Sequence, residues 1–297
     1  MSEVAEVIDG VEVTFEKIAT NGIHLHCALA GPDDGPLVVA LHGFPDFWRG
    51  MTPILVTLAK AGFRVVAPDQ RGYDLSDKPT GIDAYRIEEL AADAIGLMHA
   101  LDRERAHVVG HDWGAAVAWW VAITRPEVVE RLVVINVPHP RVLAAQIRRN
   151  PRQLLRSWYI FGLQIPRLPE MLAFSSRTRG RFGSILARTA NPGSFDGAYL
   201  HQLRTAWAQP GAATGMANYY RASVRRRPGS VADPRVHVPT LLLWGRRDTF
   251  LSASMVDPSA AYCDDVRVEV FDEATHWLLH DEPARASALI EEFLSAS

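Results

Sequence analysis

The chain has 297 residues, a net charge of −3 and 48% hydrophobic residues, an ordinary globular composition that excludes disordered, collagen-like and coiled-coil chains. The slight acidity argues against a general nucleic-acid binder. Two cysteines, Cys27 and Cys263, are too few for a disulfide framework and lack metal-ligand spacing, so we expect buried thiols in a reducing compartment. The acidic N-terminus does not resemble a signal peptide, and the longest apolar run, near residues 117–123, is too short for a bilayer. These features predict a soluble cytoplasmic protein.

Eight short segments have the patterns of strands. Residues 11–16 and 24–29 alternate between apolar and polar, and no helical pattern separates them, so we expect an antiparallel edge. Continuous apolar runs are typical of strands buried on both faces of a parallel sheet. Such runs, some of them with one or two polar residues, lie at residues 37–41, 64–67, 106–109, 132–135, 240–244 and 266–271.

Helical patterns alternate with these strands. They cover residues 48–61, 87–101, 113–125 and 282–294. Strands that alternate with helices predict an α/β fold: a mostly parallel sheet with helices on both faces.

The segment from residue 139 to 231 breaks this alternation. It contains 15 arginines, no lysine and two acidic residues, Glu170 and Asp196, so that it carries +13 and the remainder of the chain −16. Because it has helical stretches and no strand pattern, we predict an inserted helical cap over a core domain of residues 1–138 and 232–297. The arginines are expected to form a solvated face that also pairs with the acidic core. A site for an anionic substrate is the open alternative.

Residues 110–114 read Gly-His-Asp-Trp-Gly and follow a predicted buried strand. Flanking glycines permit a sharp strand-to-helix turn that exposes the central side chain at the end of the strand. Where esterases have serine, this chain has Asp112. The position between a strand and a helix favours a nucleophile turn over an ordinary loop.

Two further side chains follow later strands. Asp248 comes just after the strand at 240–244, and His276 comes just after the strand at 266–271. The carboxyl ends of parallel strands form ligand sites, and the order nucleophile, acid, histidine is that of α/β-hydrolase triads. The sequence therefore predicts a triad of Asp112, Asp248 and His276.

The loop at residues 42–46 follows the strand at 37–41 and reads His-Gly-Phe-Pro-Asp. An oxyanion-hole amide is expected there, paired with the amide after the nucleophile. The predicted donors are the backbone N–H groups of Phe44 and Trp113.

Together these segments resemble those of α/β-hydrolase-fold epoxide hydrolases, from about Val11 to the C-terminus. The resemblance is carried by residues 42–48 (His-Gly-Phe-Pro-Asp-Phe-Trp), 68–73 (Pro-Asp-Gln-Arg-Gly-Tyr), 110–114 and 136–140 (Asn-Val-Pro-His-Pro). Gly-His-Asp-Trp-Gly alone is shared with haloalkane dehalogenases. The segments Ser-Trp-Tyr at 157–159 and Asn-Tyr-Tyr-Arg at 218–221 resemble the two places where the family carries ring-opening tyrosines.

The resemblance implies hydrolysis of a small-molecule epoxide by water, with no metal or cofactor. Asp112 would form a covalent ester, Tyr159 and Tyr220 would donate a proton to the epoxide oxygen, and His276 would activate water. Tyr219 is the alternative to Tyr220. The side chains of Phe44, Trp113, Trp158 and Tyr219 are predicted to line the substrate pocket.

Two other functions remain open. A haloalkane-type dehalogenase would use the same Asp112, but such enzymes lack the tyrosine pair, and some carry their acid where this chain has Asn136. A catalytically silent binding scaffold would typically lack a triad member, and here all three are present. The oligomeric state, monomer or homodimer, is left open.

Overall fold

The computed structural model describes residues 3–175 and 177–296. Over these residues the strands are β1 (Glu3–Ile8), β2 (Val11–Thr20), β3 (Ile23–Ala30), β4 (Leu37–Leu41), β5 (Arg64–Pro68), β6 (Ala106–His111), β7 (Val129–Ile135), β8 (Thr240–Gly245) and β9 (Val266–Phe271). They form one sheet in the order β1-β2-β3-β5-β4-β6-β7-β8-β9. The first three pairs in this order, β1 with β2, β2 with β3 and β3 with β5, are antiparallel. The five remaining pairs, from β5 with β4 to β8 with β9, are parallel.

Helices of the core flank this sheet. They are α1 (Thr52–Lys60), α2 (Ile87–Ala100), α3 (Trp113–Thr124), α11 (Val256–Ala260), α12 (Leu278–Asp281) and α13 (Pro283–Ser295). Helix α1 packs with α13, and α2 packs with α3. Every residue of β4 and β6 is buried, which explains the unbroken apolar run of β4. The predicted α/β architecture is confirmed.

The predicted strands all form, and the antiparallel edge is confirmed. Strand β1 is an addition that the sequence reading missed. It joins β2 through Asp9 and Gly10, which both have positive φ, as do Asn21 and Gly22 between β2 and β3. Asp-Gly and Asn-Gly favour such two-residue hairpin turns, so the Asp-Gly pair was a usable signal for β1. The helix expected from residue 48 begins at Thr52, because Trp48–Met51 forms a 3₁₀ turn.

The cap segment, residues 139–231, lies between β7 and β8. Its described residues form helices and no strand: α4 (Pro140–Arg149), α5 (Pro151–Arg156), α6 (Trp158–Gly162), α7 (Leu168–Leu172), α8 (Arg179–Ala187), α9 (Gly197–Trp207) and α10 (Ala212–Arg225). The division into two domains at residues 139 and 231 stays a prediction. The expected pairing of its arginines with acidic residues of the core is found only for Arg226, with Asp83, among the described side chains.

Both cysteines are buried free thiols. No helix of the described residues combines the length and the apolar character that a membrane crossing requires. Within the same residues, no group of three or more His, Cys, Asp or Glu side chains is placed to hold a metal ion.

Candidate active site

Asp112 stands at a strained turn between β6 and α3. Its backbone has φ 48° and ψ −120°, a conformation that residues other than glycine rarely adopt. A Cβ atom at Gly110 would lie 2.3 Å from the carbonyl oxygen of Gly114, and one at Gly114 would lie 2.0 Å from that of Leu41. Only glycine therefore fits on either side, and the turn projects the Asp112 carboxylate from the end of the sheet.

His276 lies between two carboxylates. Its Nδ1 atom is 2.7 Å from Oδ2 of Asp248, and its Nε2 atom is 3.2 Å from Oδ2 of Asp112. The side chains of His276 and Asp248 are buried, and that of Asp112 is 13% exposed. The three residues of the predicted triad are thus brought together in hydrogen-bonding contact.

Asp248 is fixed by backbone amides and one side chain. Its Oδ1 accepts hydrogen bonds from the amides of Phe250 (2.7 Å) and Leu251 (2.8 Å). The Nδ2 group of Asn136 donates to Oδ2 at 2.9 Å. In the sequence, Asn136 begins the segment 136–140 and stands where some dehalogenases carry an acid, but no role for it was predicted. Its position after β7, at the same sheet edge, was the available signal for a supporting role.

The electrostatics of this cluster favour a charged His276. Burial lowers the pKa of His276, but the charges of Asp248 and Asp112 and their hydrogen bonds outweigh burial and raise it to about 10. Burial raises the pKa of Asp112, while the hydrogen bond and charge of His276 and the Phe44 amide lower it below its ordinary value. At neutral pH Asp112 is therefore an ionised carboxylate beside a protonated imidazole.

A backbone donor already holds one oxygen of Asp112. The Phe44 amide donates to Oδ1 at 2.7 Å. A Cβ atom at Gly43 would lie 2.2 Å from Cβ of Asp112, so glycine permits this close approach of the loop. The Trp113 amide belongs to the first residue of α3, and the first amides of a helix have no partner within it. These are the two amides predicted as the oxyanion hole.

A cavity of about 330 Å³ opens from Asp112 between the sheet edge and the cap segment. Tyr159 and Tyr220 line it, and their rings lie 5.8 Å apart at nearly a right angle. Among the described residues, neither hydroxyl donates to a backbone carbonyl or a carboxylate. Burial raises the pKa of both phenols, and the charge of Asp112 raises it further. Both therefore stay protonated at neutral pH.

The structure separates Tyr219 from Tyr220. The Tyr219 ring lines the cavity as expected, but its hydroxyl donates to the backbone carbonyl of Arg71 at 2.9 Å. The hydroxyl proton of Tyr219 is therefore directed at this carbonyl and not into the cavity. Of the two neighbouring tyrosines, Tyr220 has the hydroxyl that is available in the cavity.

Trp113 lines the cavity, but two other pocket predictions need correction. The Phe44 ring is not among the side chains that border the cavity; it packs nearly perpendicular to the rings of Tyr220 and Phe174. Trp158 is 70% exposed on the outside of α6. Adjacent residues of a helix point about 100° apart, so Tyr159 facing inward leaves Trp158 facing solvent.

A second polar network beside the site was missed from the sequence. The carboxylate of Asp46 accepts hydrogen bonds from the Tyr199 hydroxyl of α9 (2.5 Å) and the Phe47 amide (2.8 Å), and it lies 3.1 Å from Nε2 of His280. Asp46 ends the loop that carries the Phe44 amide, so the network ties this loop to the cap segment and to the chain after His276. Only folding brings its members together.

The chain matches the sequence family described as the alpha/beta hydrolase fold over residues 36–283. It is a member of the α/β-hydrolase family. This α/β-hydrolase is 44% identical to the AB hydrolase superfamily protein YfhM of Bacillus subtilis, across 97% of this chain and 99% of that protein. It is 35% identical to epoxide hydrolase 4 of Mus musculus, across 94% and 79% respectively.

Its fold agrees with a solved structure of the same kind. A mutant of an epoxide hydrolase from Bacillus megaterium superposes with a TM-score of 0.85 at 27% identity, covering 95% of this chain and 100% of that one. These relatives make the protein a hydrolase similar to epoxide hydrolases.

The charge state of His276 gives a direct test of the electrostatics. In Asp112→Asn, the pKa of His276 should fall from about 10, because one of the two carboxylates that raise it is gone. Imidazole ¹⁵N chemical shifts followed from pH ~5 to ~11 measure this change. His139, whose pKa burial lowers to about 4, should stay neutral in both proteins and is the internal control. An identical His276 titration in the variant would contradict the coupling.

Proposed function

We propose that this α/β-hydrolase converts an epoxide into a vicinal diol through a covalent ester on Asp112. The observation that carries the proposal is the pair of phenols that share one cavity with the carboxylate of Asp112, which in turn contacts His276. A carboxylate attacks saturated carbon without prior deprotonation, and an epoxide oxygen needs a proton as it leaves. The cavity holds a group for each need.

The first step forms the ester. Oδ1 of Asp112 is held by the Phe44 amide, so Oδ2 attacks an epoxide carbon opposite the breaking C–O bond. The electron pair of that bond moves to the epoxide oxygen, which takes a proton from Tyr159 or Tyr220. Both phenols remain protonated until this point because their pKa values are raised.

Formation of the ester changes the state of His276. The ester is neutral, so one of the charges that raise the pKa of His276 disappears. His276 then releases its proton, which reprotonates the phenolate formed in the first step. The histidine becomes a base only after the nucleophile has reacted, so that the order of the two steps is built into the cluster.

The second step hydrolyses the ester. Neutral His276, oriented by Asp248, takes a proton from water as the water attacks the carboxyl carbon of Asp112. The negative charge that develops on Oδ1 is stabilised by the amides of Phe44 and Trp113. The tetrahedral intermediate expels the diol oxygen, which takes the remaining proton of the water that attacked, so that the Asp112 carboxylate and protonated His276 are restored.

A dehalogenase with the same nucleophile fits the cavity less well. Halide leaves as a stable anion and needs no proton, so Tyr159 and Tyr220 would contribute little to its departure. The hydroxyls of these tyrosines, which donate to no described carbonyl or carboxylate, are the feature that favours an epoxide.

Removal of the base should trap the ester. His276→Gln keeps a polar side chain but cannot take a proton from water, so mixing it with a terminal aryl epoxide should add the mass of the epoxide to the peptide containing Asp112. Intact-protein and peptide mass spectrometry detect the adduct. His280→Gln is the matched control, because His280 contacts Asp46 and not Asp112, and should accumulate no adduct. Normal turnover by His276→Gln would contradict the assigned role.

Loss of the phenols should slow ring opening. Tyr159→Phe or Tyr220→Phe is expected to lower the rate of diol formation by roughly 10²–10⁴-fold, the range for a lost general acid. The loss is smaller where the remaining phenol still donates, and the double variant should be nearly inactive.

Tyr219→Phe is the matched control for these variants. Its hydroxyl bonds to the Arg71 carbonyl, so the variant should keep most of its turnover. A double Tyr159→Phe, Tyr220→Phe variant with wild-type epoxide turnover would contradict the proposal, as would halide release from haloalkanes in a protein that forms no diol.

A further inference from the structure

Exposed apolar side chains are concentrated on the cap segment. Ten of the twelve large hydrophobic side chains that are exposed among the described residues lie there, and Val7 and Leu75 are the other two. Exposed apolar residues scattered singly need no explanation, but a contiguous group indicates an interaction surface. The cap segment, rather than the core, therefore carries the apolar surface of this protein.

Five of these side chains form a ridge along one helical run. Helices α5 and α6 are separated only by Ser157, and backbone hydrogen bonds continue the turn from α5 to Ile165. Leu154, Trp158, Phe161 and Ile165 follow the spacing i, i+4, i+7, i+11, which places them on one face of the run. They are 40%, 70%, 53% and 48% exposed, and Leu155 adjoins them.

The opposite face of this run is already packed. Gln153 is buried and its side chain donates to the Phe250 carbonyl at 2.8 Å. Ser157 is buried as well, and Tyr159 and Ile160 line the cavity. The run therefore has two apolar faces. One closes the cavity, and the ridge lacks a partner among the described residues.

Arginines without an ion pair to a described carboxylate flank the ridge along the chain. Arg148, Arg149, Arg152, Arg156 and Arg167 form no ion pair with a described carboxylate, and the acidic residue in this stretch, Glu170, is bound to Arg221. The surface is therefore both apolar and strongly basic. Two copies of it would repel each other if they met face to face, which disfavours a cap-to-cap dimer.

We propose that the ridge and its arginines dock the protein on an anionic lipid bilayer. The apolar side chains enter the boundary between headgroups and acyl chains, where Trp and Phe are well accommodated. The arginines bind the anionic headgroups. The attachment is peripheral, and it goes beyond the proposed hydrolysis because it requires no substrate.

Vesicle flotation of the full chain tests the docking. The protein should float with vesicles of phosphatidylglycerol and phosphatidylcholine, bind vesicles of phosphatidylcholine alone far less, and dissociate at high salt. Trp158→Ser with Phe161→Ser should weaken binding at least tenfold. Arg148→Gln, Arg149→Gln and Arg152→Gln together should weaken it by about fivefold per arginine.

The matched controls substitute exposed apolar and basic side chains of the core in place of those of the cap segment. Val7→Ser with Leu75→Ser, and Lys17→Gln with Lys60→Gln, should bind as the wild type does. Circular dichroism and thermal unfolding show that each variant is folded.

Three results would overturn the docking. They are no binding to anionic vesicles, binding that the ridge and arginine variants leave unchanged, and a wild-type dimer that ignores vesicles and becomes monomeric in the ridge variant. Analytical ultracentrifugation identifies the last of these. Since none of the assays uses an epoxide, their outcome is independent of the proposed hydrolysis.

Discussion

The placement of one imidazole between two carboxylates is the interaction on which the rest of the site depends. His276 contacts Asp248 through one ring nitrogen and Asp112 through the other, in a place where water is largely excluded. Paired charges in such surroundings interact more strongly than on the surface. The contact between them favours an ionised Asp112 and a protonated His276. In the proposed mechanism, esterification removes the charge of Asp112 and so allows His276 to act as the base.

The fold produces this geometry because the carboxyl ends of three strands lie at the same edge of the sheet. Asp112 follows β6, Asp248 follows β8 and His276 follows β9, and the parallel register brings these loops to the same side of the sheet. The glycines beside Asp112 allow a backbone conformation that a larger residue would block. The cap segment then adds the phenols, so that the two halves of the proposed chemistry come from different parts of the chain.

The features that could be predicted from the sequence are those encoded within a short segment of the chain. The strand–turn–helix pattern around Asp112 is contained in about twenty residues, and the order of Asp248 and His276 requires only the alternation of strands and helices. Tyr159 and Tyr220 came from the family resemblance. Only the folded cap segment shows that the Tyr219 hydroxyl is occupied by a backbone carbonyl.

The errors arise where packing decides. The apolar character of Trp158 predicts a place in the pocket, but the direction of a side chain on α6 depends on how that short helix lies on the cavity. The Asp46 network joins parts of the chain that are more than 150 residues apart. No pattern within a single segment reports such contacts, and the same holds for the exposed ridge beside the cavity.

A single turnover in ¹⁸O-labelled water tests the central claim most directly. In the proposed sequence of steps, water attacks the carboxyl carbon of Asp112, so the label should enter the Asp112 side chain while the first diol released contains little of it. Digestion and mass spectrometry locate the label in the peptide that carries Asp112. Label found mainly in the first diol, with Asp112 unlabelled, would show that water attacks the epoxide directly and would contradict the covalent mechanism.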